Sequence, residues 1–536
     1  MIRLFKYHPK LTIAIIVLVI GLGASATLPV SIMEARNFVT AREMLTDGNW
    51  LLTTMNGEAR YEKPPLPTMF SAISASIFGI TSFAMRLPAL LMVILLGIFC
   101  NKISFLLTKD YRLSLLGSII TVTSFYVLAI VIEAPWDIYA HTFMTISLYF
   151  GLVFIQSTDL RVAAILGVIL FAAGAFLSKG PIPYYALLLP FLISLIINYG
   201  GDFIKKRILI FFLLMLLGLA FGSLWYLYVR LEDPFTIEAI ASKETSNWSS
   251  YNVRPFYYYW SFFTQSGLWT IPALMSLLYP HLKNKVKHTK YYKFVWWWTI
   301  LAVIFLSVIP EKKSRYLMPV LIPLSLTISN YIQYAIDHGK KLNRLEKLPI
   351  YLHFGLITIL ALVLPIAIWF INSELHIDNY WLIFTSVIVL AIGSVSALYL
   401  VKFNVKQLTL LSIVFLMAIA STAPLILKSE DTNIAKAKES FRNLNESDEN
   451  IYGLPPLSPE FIWYYGKKLP ALDTKNLSNK EVLIISEYRN DIEKDFISKT
   501  FNMKLLETFD FNQTTDSSSS TYKKRLKAAL YKISLR

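Results

Sequence analysis

The recurrence of long apolar runs through the first 428 of 536 residues constrains this chain more than any other feature. Each run is long enough to cross ~30 Å of hydrocarbon. A backbone inside lipid must satisfy its own hydrogen bonds, so runs of this kind fold as spanning helices. The spacing predicts thirteen: about 11–30, 84–107, 112–131, 138–157, 161–177, 181–198, 208–229, 261–281, 293–309, 316–335, 350–371, 380–401 and 407–428. A shorter apolar piece at 66–80 has polar breaks and reads as interfacial or re-entrant. With 55% hydrophobic and 16% charged residues, an ordinary soluble protein is excluded.

The formal net charge is +16. Residues 429–536 are nearly balanced, so the excess belongs to the membrane part. There it reads as a topology signal and not as a nucleic-acid footprint. With the N-terminus inside, "TKDYR", "KKR", "HLKNKVKHTKYYK", "DHGKKLNRLEK" and "KFNVK" all fall on the cytoplasmic face. The loops 31–83, 132–137, 178–180, 230–260, 310–315 and 372–379 fall outside, as does the tail. Arg3, Lys6 and Lys10 before the first run imitate a secretory signal, but its twenty-residue core and the spans that follow favour a retained helix. Cys100 is the sole cysteine, which excludes an intrachain disulfide and a cysteine metal cluster. After residue 428, "EVLIIS", "MKLLETFDF" and "RLKAALYKI" predict strands, and a charged piece near 489–500 predicts a helix. The expected organisation is a membrane domain, 1–428, followed by a small α/β domain, 429–536.

The chemistry-bearing residues lie in the outer loops. In "MEARNFVTAREMLTDG" the apolar residues Phe38, Ala41 and Leu45 predict a short surface helix that stops at "DG". Glu34 falls in its first turn, where a carboxylate complements the helix dipole, with Arg36 beside it. In "YEKPPLP", Glu62 and Lys63 precede two prolines that stiffen the backbone and present the ammonium from an extended segment. A lysine there either snorkels or holds a phosphate. Asp137 stands at the mouth of a span, where a helix cap is the common explanation. His141 lies one turn further, and two candidate ligands are too few for a metal site. Lys179 is alone in "SKGP", Arg254 precedes a proline and an aromatic run, and "EKKSRY" brings Lys312, Lys313, Arg315 and Tyr316. That last loop defies the charge rule, which points either to a bound anion or to one locally positive loop that the rule tolerates. Charged residues are nearly absent from the spans themselves, whereas a transporter carries ionisable groups at mid-membrane. Polar chemistry at the outer rim favours an enzyme acting on an amphiphilic phosphate ester. A lipid-linked sugar flippase is the competitor from another class.

The first outer loop, "APWDIYAHTFM", "FLSKGPIP" and "KKSRYLMPVLIPL" occur in the order found in GT-C membrane glycosyltransferases, over about residues 10–330. They resemble the lipid A aminoarabinose transferases and, more distantly, the protein O-mannosyltransferases. The resemblance implies a GT-C fold and sugar transfer from a polyprenyl-phosphate donor to an acceptor on the periplasmic side of the bacterial inner membrane. A lipid A phosphate is the favoured acceptor, a protein hydroxyl the alternative. No nucleotide, metal or other cofactor is expected. By motif, Lys63, Arg254, Arg315 and Tyr316 would bind the donor phosphate, and Asp137 or Glu34 would serve as the catalytic acid or base. Arg36, Glu62, Lys179, Lys312 and Lys313 would contact substrate. The family's usual aspartate and tyrosine are here Met33 and Asn37. A serine or threonine acceptor gains roughly 10²–10⁴-fold from a base, whereas a phosphate monoester is already substantially ionised at neutral pH. The loss of the aspartate therefore favours the phosphate.

Overall fold

The computed structural model describes residues 8–133, 135–157, 161–375, 379–426, 433–446, 451–472, 481–488, 501–512, 517–518 and 522–535. The predicted helix near 489–500 and the expected domain boundary lie outside them. The protein is a multi-pass helical membrane protein. Among the described residues nine helices are long and apolar enough to cross a membrane, from Pro9–Thr27 to Val405–Thr422. On Arg207–Glu232, Leu213, Leu217, Phe221, Leu224 and Leu227 are all exposed at helical spacing, a stripe suited to lipid.

The other four predicted spans are broken, irregular or more polar. Residues 111–133 divide at Ser124 into Tyr111–Thr123 and Phe125–Glu133. The Ser124 Oγ donates to the Ile120 carbonyl at 2.8 Å. A π-turn, Tyr184–Leu188, opens Leu189–Tyr199. The run 261–281 becomes two short helices after a 3-10 segment kinked at Gly267. Only glycine suits that kink, with φ at 61° and a Cβ position 2.5 Å from Phe125 Cβ. Met318–His338 is continuous over 21 residues, but Ser325, Thr327, Ser329, Asn330 and Gln333 make it less apolar than the nine. Among the described residues nine of the thirteen predicted spans are thus long apolar helices.

The basic loops gather on one face, joined by Lys285–Glu346 and Lys287–Asp110 ion pairs, each 2.7 Å. On the other face the first outer loop forms the helix Ile32–Asp47, started by a Ser31–Glu34 capping box and stopped by Gly48 at φ 75°. This helix differs from the predicted surface helix, because most of its residues are buried. One side packs on Leu66–Phe78, the short apolar helix that does not span; Thr68 and Ser71 there bond the Asn37 amide. Its other side meets the tail, with the Phe38 and Trp463 rings 5.2 Å apart. A hairpin of β1 (Thr54–Met55) and β2 (Glu58–Ala59) turns through Asn56–Gly57, both at positive φ.

The tail is a four-stranded sheet in the order β3-β4-β6-β5, built from β3 (Ile451–Leu454), β4 (Val482–Glu487), β5 (Phe501–Asp510) and β6 (Lys527–Leu535). β3 pairs parallel with β4, and the other pairings are antiparallel. The last three are the predicted strands. β3 and the helices Asn433–Glu446 and Pro459–Tyr465 are additional. This domain is tied to the first outer loop. Arg42 donates to the carbonyls of Ile462, Trp463 and Lys467 at 3.1–3.4 Å, and Asn56 exchanges two 2.8 Å bonds with Leu469.

Candidate active site

The site forms where two long helices reach the face opposite the basic loops. Val162–Lys179 ends at Gly180, whose φ of 70° is open to glycine and costly for other residues. Lys179 therefore occupies the last helical position, its side chain only 6% exposed. Its Nζ contacts Asp137 Oδ1, from the first turn of Pro135–Gln156, whose side chain is 2% exposed. Two groups far apart in sequence thus neutralise each other in a poorly solvated place, where an unpaired charge would be costly. His141 Nε2 lies 3.9 Å from the same oxygen.

Around this pair lies a cationic rim. Lys63 and Arg315 are both within electrostatic reach of Lys179. The Lys179 ammonium is also 4.9 Å from the Tyr316 ring centroid, and the Arg315 guanidinium 5.8 Å from it. Asp137 is within electrostatic reach of Tyr316 and Tyr185. Lys63 is half-buried and donates no hydrogen bond among the described residues. Lys63, Asp137, Lys179, Arg315 and Tyr316 are thus brought together, as the sequence suggested.

Other candidates have different surroundings. Glu34 is fully buried and grips Arg86, with Oε1 2.6 Å from Nε and Oε2 2.9 Å from Nη2. Its Oε2 also accepts from the Ser31 amide at 2.9 Å. Burial pushes its carboxyl upward, opposed by the Arg86 guanidinium. This corrects the expectation of a rim carboxylate, because both oxygens are engaged in holding the loop to the span.

Lys312 is buried and donates to the main-chain carbonyls of Arg254 (3.0 Å) and Ile309 (2.5 Å). Burial holds its ammonium below the ordinary lysine range. Lys313 pairs with Glu311 at 2.6 Å, and Tyr316 Oη donates to the same carboxylate at 3.1 Å. These contacts correct the reading of the "EKKSRY" loop as three cations awaiting an anion, since carbonyls and Glu311 take two of them.

The loop is zipped to residues 252–254 by Lys312 N to Asn252 O and Arg254 N to Pro310 O, both 3.1 Å. Arg254 is exposed, its guanidinium 6.0 Å from the Tyr258 ring. Arg36 and Glu62 are exposed and within electrostatic reach of Arg60.

Sequence reasoning missed Arg60, Arg86 and Glu311. Arg60 is buried, its guanidinium 5.5 Å from the ring of Trp136, and it donates to the Arg36 carbonyl at 3.3 Å and the Thr40 hydroxyl at 3.1 Å. Burial lowers its guanidinium to about 10, which leaves it charged at neutral pH. Its place in "ARYEKPP", three residues before Lys63, was the only local signal. Among the described residues no group of three or more His, Cys, Asp or Glu side chains could hold a metal ion.

An apolar groove of about 300 Å³ adjoins the rim. Pro65 and Leu66, next to Lys63, meet Leu177, Leu224 and Trp225 there. Charge and oil are adjacent, as a lipid phosphate requires.

Known proteins resemble this chain in sequence and in fold. Residues 62–227 match the family described as dolichyl-phosphate-mannose-protein mannosyltransferase, a segment that holds Glu62, Lys63, Asp137 and Lys179. The chain is 26% identical over 343 residues to undecaprenyl phosphate-alpha-4-amino-4-deoxy-L-arabinose arabinosyl transferase 1 of Proteus mirabilis (strain HI4320). That alignment covers 62% of this chain and 60% of the relative. The transferase of the same name from Yersinia enterocolitica serotype O:8 / biotype 1B is 27% identical, again over 62% and 60%. The chain thus matches about three fifths of the length of each relative. The crystal structure of ArnT from Cupriavidus metallidurans bound to undecaprenyl phosphate superposes with a TM-score of 0.69 at 15% identity, over 97% of both chains. The resemblance to GT-C membrane glycosyltransferases therefore holds in sequence over a segment that includes Lys63, Asp137 and Lys179, and in fold over nearly the whole chain.

Proposed function

We propose that this protein is a glycosyltransferase of the bacterial inner membrane, taking a sugar from a polyprenyl-phosphate donor and passing it to a lipid A phosphate on the periplasmic side. The observation that carries this reading is the rim of Lys63, Lys179 and Arg315 around Asp137 and Tyr316, at the outer helix ends and beside an apolar groove. The names of the relatives point the same way.

An oxygen of the acceptor phosphate attacks the sugar anomeric carbon with inversion as the bond from that carbon to the donor phosphate oxygen breaks. Negative charge grows on the departing polyprenyl phosphate, and preorganised cations stabilise it in a poorly solvated place. Lys63 and Arg315 act directly, with Arg254 at the exposed edge. Asp137 fixes Lys179. No proton need be removed from an ionised acceptor, which suits a site whose buried candidate bases, Glu34 and Asp137, are both held by cations. The reaction is proposed to run on these side chains without a metal.

A protein hydroxyl is the second reading, favoured by the description of the matching family. Its base would be Glu62, the exposed carboxylate beside Lys63. The test is transfer from a polyprenyl-phosphate sugar to lipid A by the reconstituted full chain, followed by mass spectrometry. Lys63→Ala is expected to lower the rate ~10²–10³-fold. Undiminished transfer would overturn its phosphate role. Glu62→Gln is expected to change this rate by only a few-fold; no transfer to lipid A, together with transfer to a serine- or threonine-bearing polypeptide that Glu62→Gln lowers ~10²–10⁴-fold, would select a hydroxyl acceptor.

A further inference from the structure

Met318–His338 starts beside Tyr316 and runs 21 residues, about 30 Å, to the opposite membrane face. At its end Gly339 and Lys340 meet the turn between Asn379–Val401 and Val405–Ile426 around a cavity of about 380 Å³. Lys340, Lys402, Lys406 and Asn404 supply its polar lining, and no Asp or Glu contributes.

The acids described nearby are already engaged. Asp110 holds Lys287 and His288, Glu346 holds Lys285, and Asp337 accepts from Gln333. Among the described residues Lys340, Lys402 and Lys406 have no acidic partner. Three like charges converge on one cavity, a repulsion that an external anion would reverse.

The cavity is built by a specific turn. Phe403 takes a left-handed backbone at φ 50° with its ring buried, 5.3 Å from the Lys347 ammonium and 4.9 Å from the Tyr351 ring. Asn404 then caps the next helix, its Oδ1 accepting from the Gln407 amide at 3.3 Å, and the positive end of that helix adds to the lysines. On the membrane side of the turn, Leu398, Val401 and Leu352 are more than half exposed. An anion that fits both surfaces carries apolar chains.

We infer that Lys340, Lys402 and Lys406 form a binding site for the phosphate headgroup of an anionic phospholipid, on the face opposite the sugar-transfer site. Basic pockets between membrane helices have this chemistry. The site depends on the membrane embedding of the chain and not on its catalytic activity.

The test uses the delipidated full chain in detergent and native mass spectrometry with added phosphatidylglycerol or phosphatidylcholine. Wild type is expected to retain phosphatidylglycerol in preference to phosphatidylcholine. The triple variant Lys340→Gln, Lys402→Gln, Lys406→Gln is expected to weaken that retention by about 100-fold, and the corresponding triple Lys→Arg variant to preserve it. Thermal unfolding with phosphatidylcholine checks that each variant is folded. Equal retention by the folded triple Gln variant would overturn the site. So would an equal loss in Lys283→Gln with Lys293→Gln, which would indicate diffuse surface attraction. Displacement of the lipid by millimolar inorganic phosphate would replace it with a free-anion site.

Discussion

Glu34 and Arg86, 52 residues apart, form a two-point ion pair at 2.6 and 2.9 Å that anchors the first outer loop to the span behind it. Arg86 also donates to the carbonyls of Ser25, Leu28 and Pro29 at 2.9–3.1 Å. Removing one member leaves the other charge buried, so Arg86→Ala is expected to destabilise the protein by about 3–5 kcal/mol. The combination Glu34→Leu with Arg86→Met should recover part of that loss, as measured by thermal unfolding in detergent. Additive losses would mean that the two residues act separately.

Asp137 and Lys179 should behave as one unit in catalysis. Lys179→Met is expected to lower transfer by about 10²-fold, the loss typical of one preorganised charge. Adding Asp137→Asn should then cost little more, because its work is to hold that ammonium. A double-mutant cycle on transfer rates checks this. A full further loss on Asp137→Asn would give the carboxylate a task of its own.

Arg42 holds the tail domain to the outer loop through three carbonyls. Burial lowers its guanidinium to about 10, so it still donates as a cation at neutral pH. Arg42→Ala is expected to cost about 1.5–3 kcal/mol in stability, the scale of a charged hydrogen bond. It should also expose the junction near residue 463 to limited proteolysis. An unchanged digestion pattern would mean that the Asn56–Leu469 pair suffices.

On the opposite face, Asp110 has its carboxyl lowered to about 2. Burial alone would raise it, but the hydrogen bonds from Lys287 and His288 outweigh that effect. Its folded value lies below the ordinary 3.8, so its stabilisation is present above pH 3.8 and is lost as pH falls toward 2. Wild type and Asp110→Asn should therefore differ in unfolding midpoint at pH 5 and converge near pH 2. A constant gap would sink this assignment.

Much of this was legible in the chain itself. Hydrophobic length located the long helices, and Lys/Arg asymmetry sorted the loops onto two faces. Gly48 stops the loop helix as its sequence suggests. Lys63, Asp137 and Lys179 could be named as candidates because polar residues at helix ends are conspicuous against so much oil. The breaks at Ser124 and Gly267 were not legible, since hydropathy averages over a kink.

Partnership was also hidden. Glu34 looked like a helix-start carboxylate or a rim acid; it is the first, in a capping box with Ser31, and it is also the counter-charge of Arg86. Lys312 looked like a ligand, and it became a clasp between two loops. Composition, periodicity and Lys/Arg placement determined which stretches are apolar enough to cross a membrane and which loops share a face, because those depend on transfer energies summed along a local stretch. Only the tertiary structure decided which charge meets which, because a charge buried in a poorly solvated place must find a partner wherever packing brings one. That requirement set Asp137 against Lys179 and withdrew Glu34 from the rim.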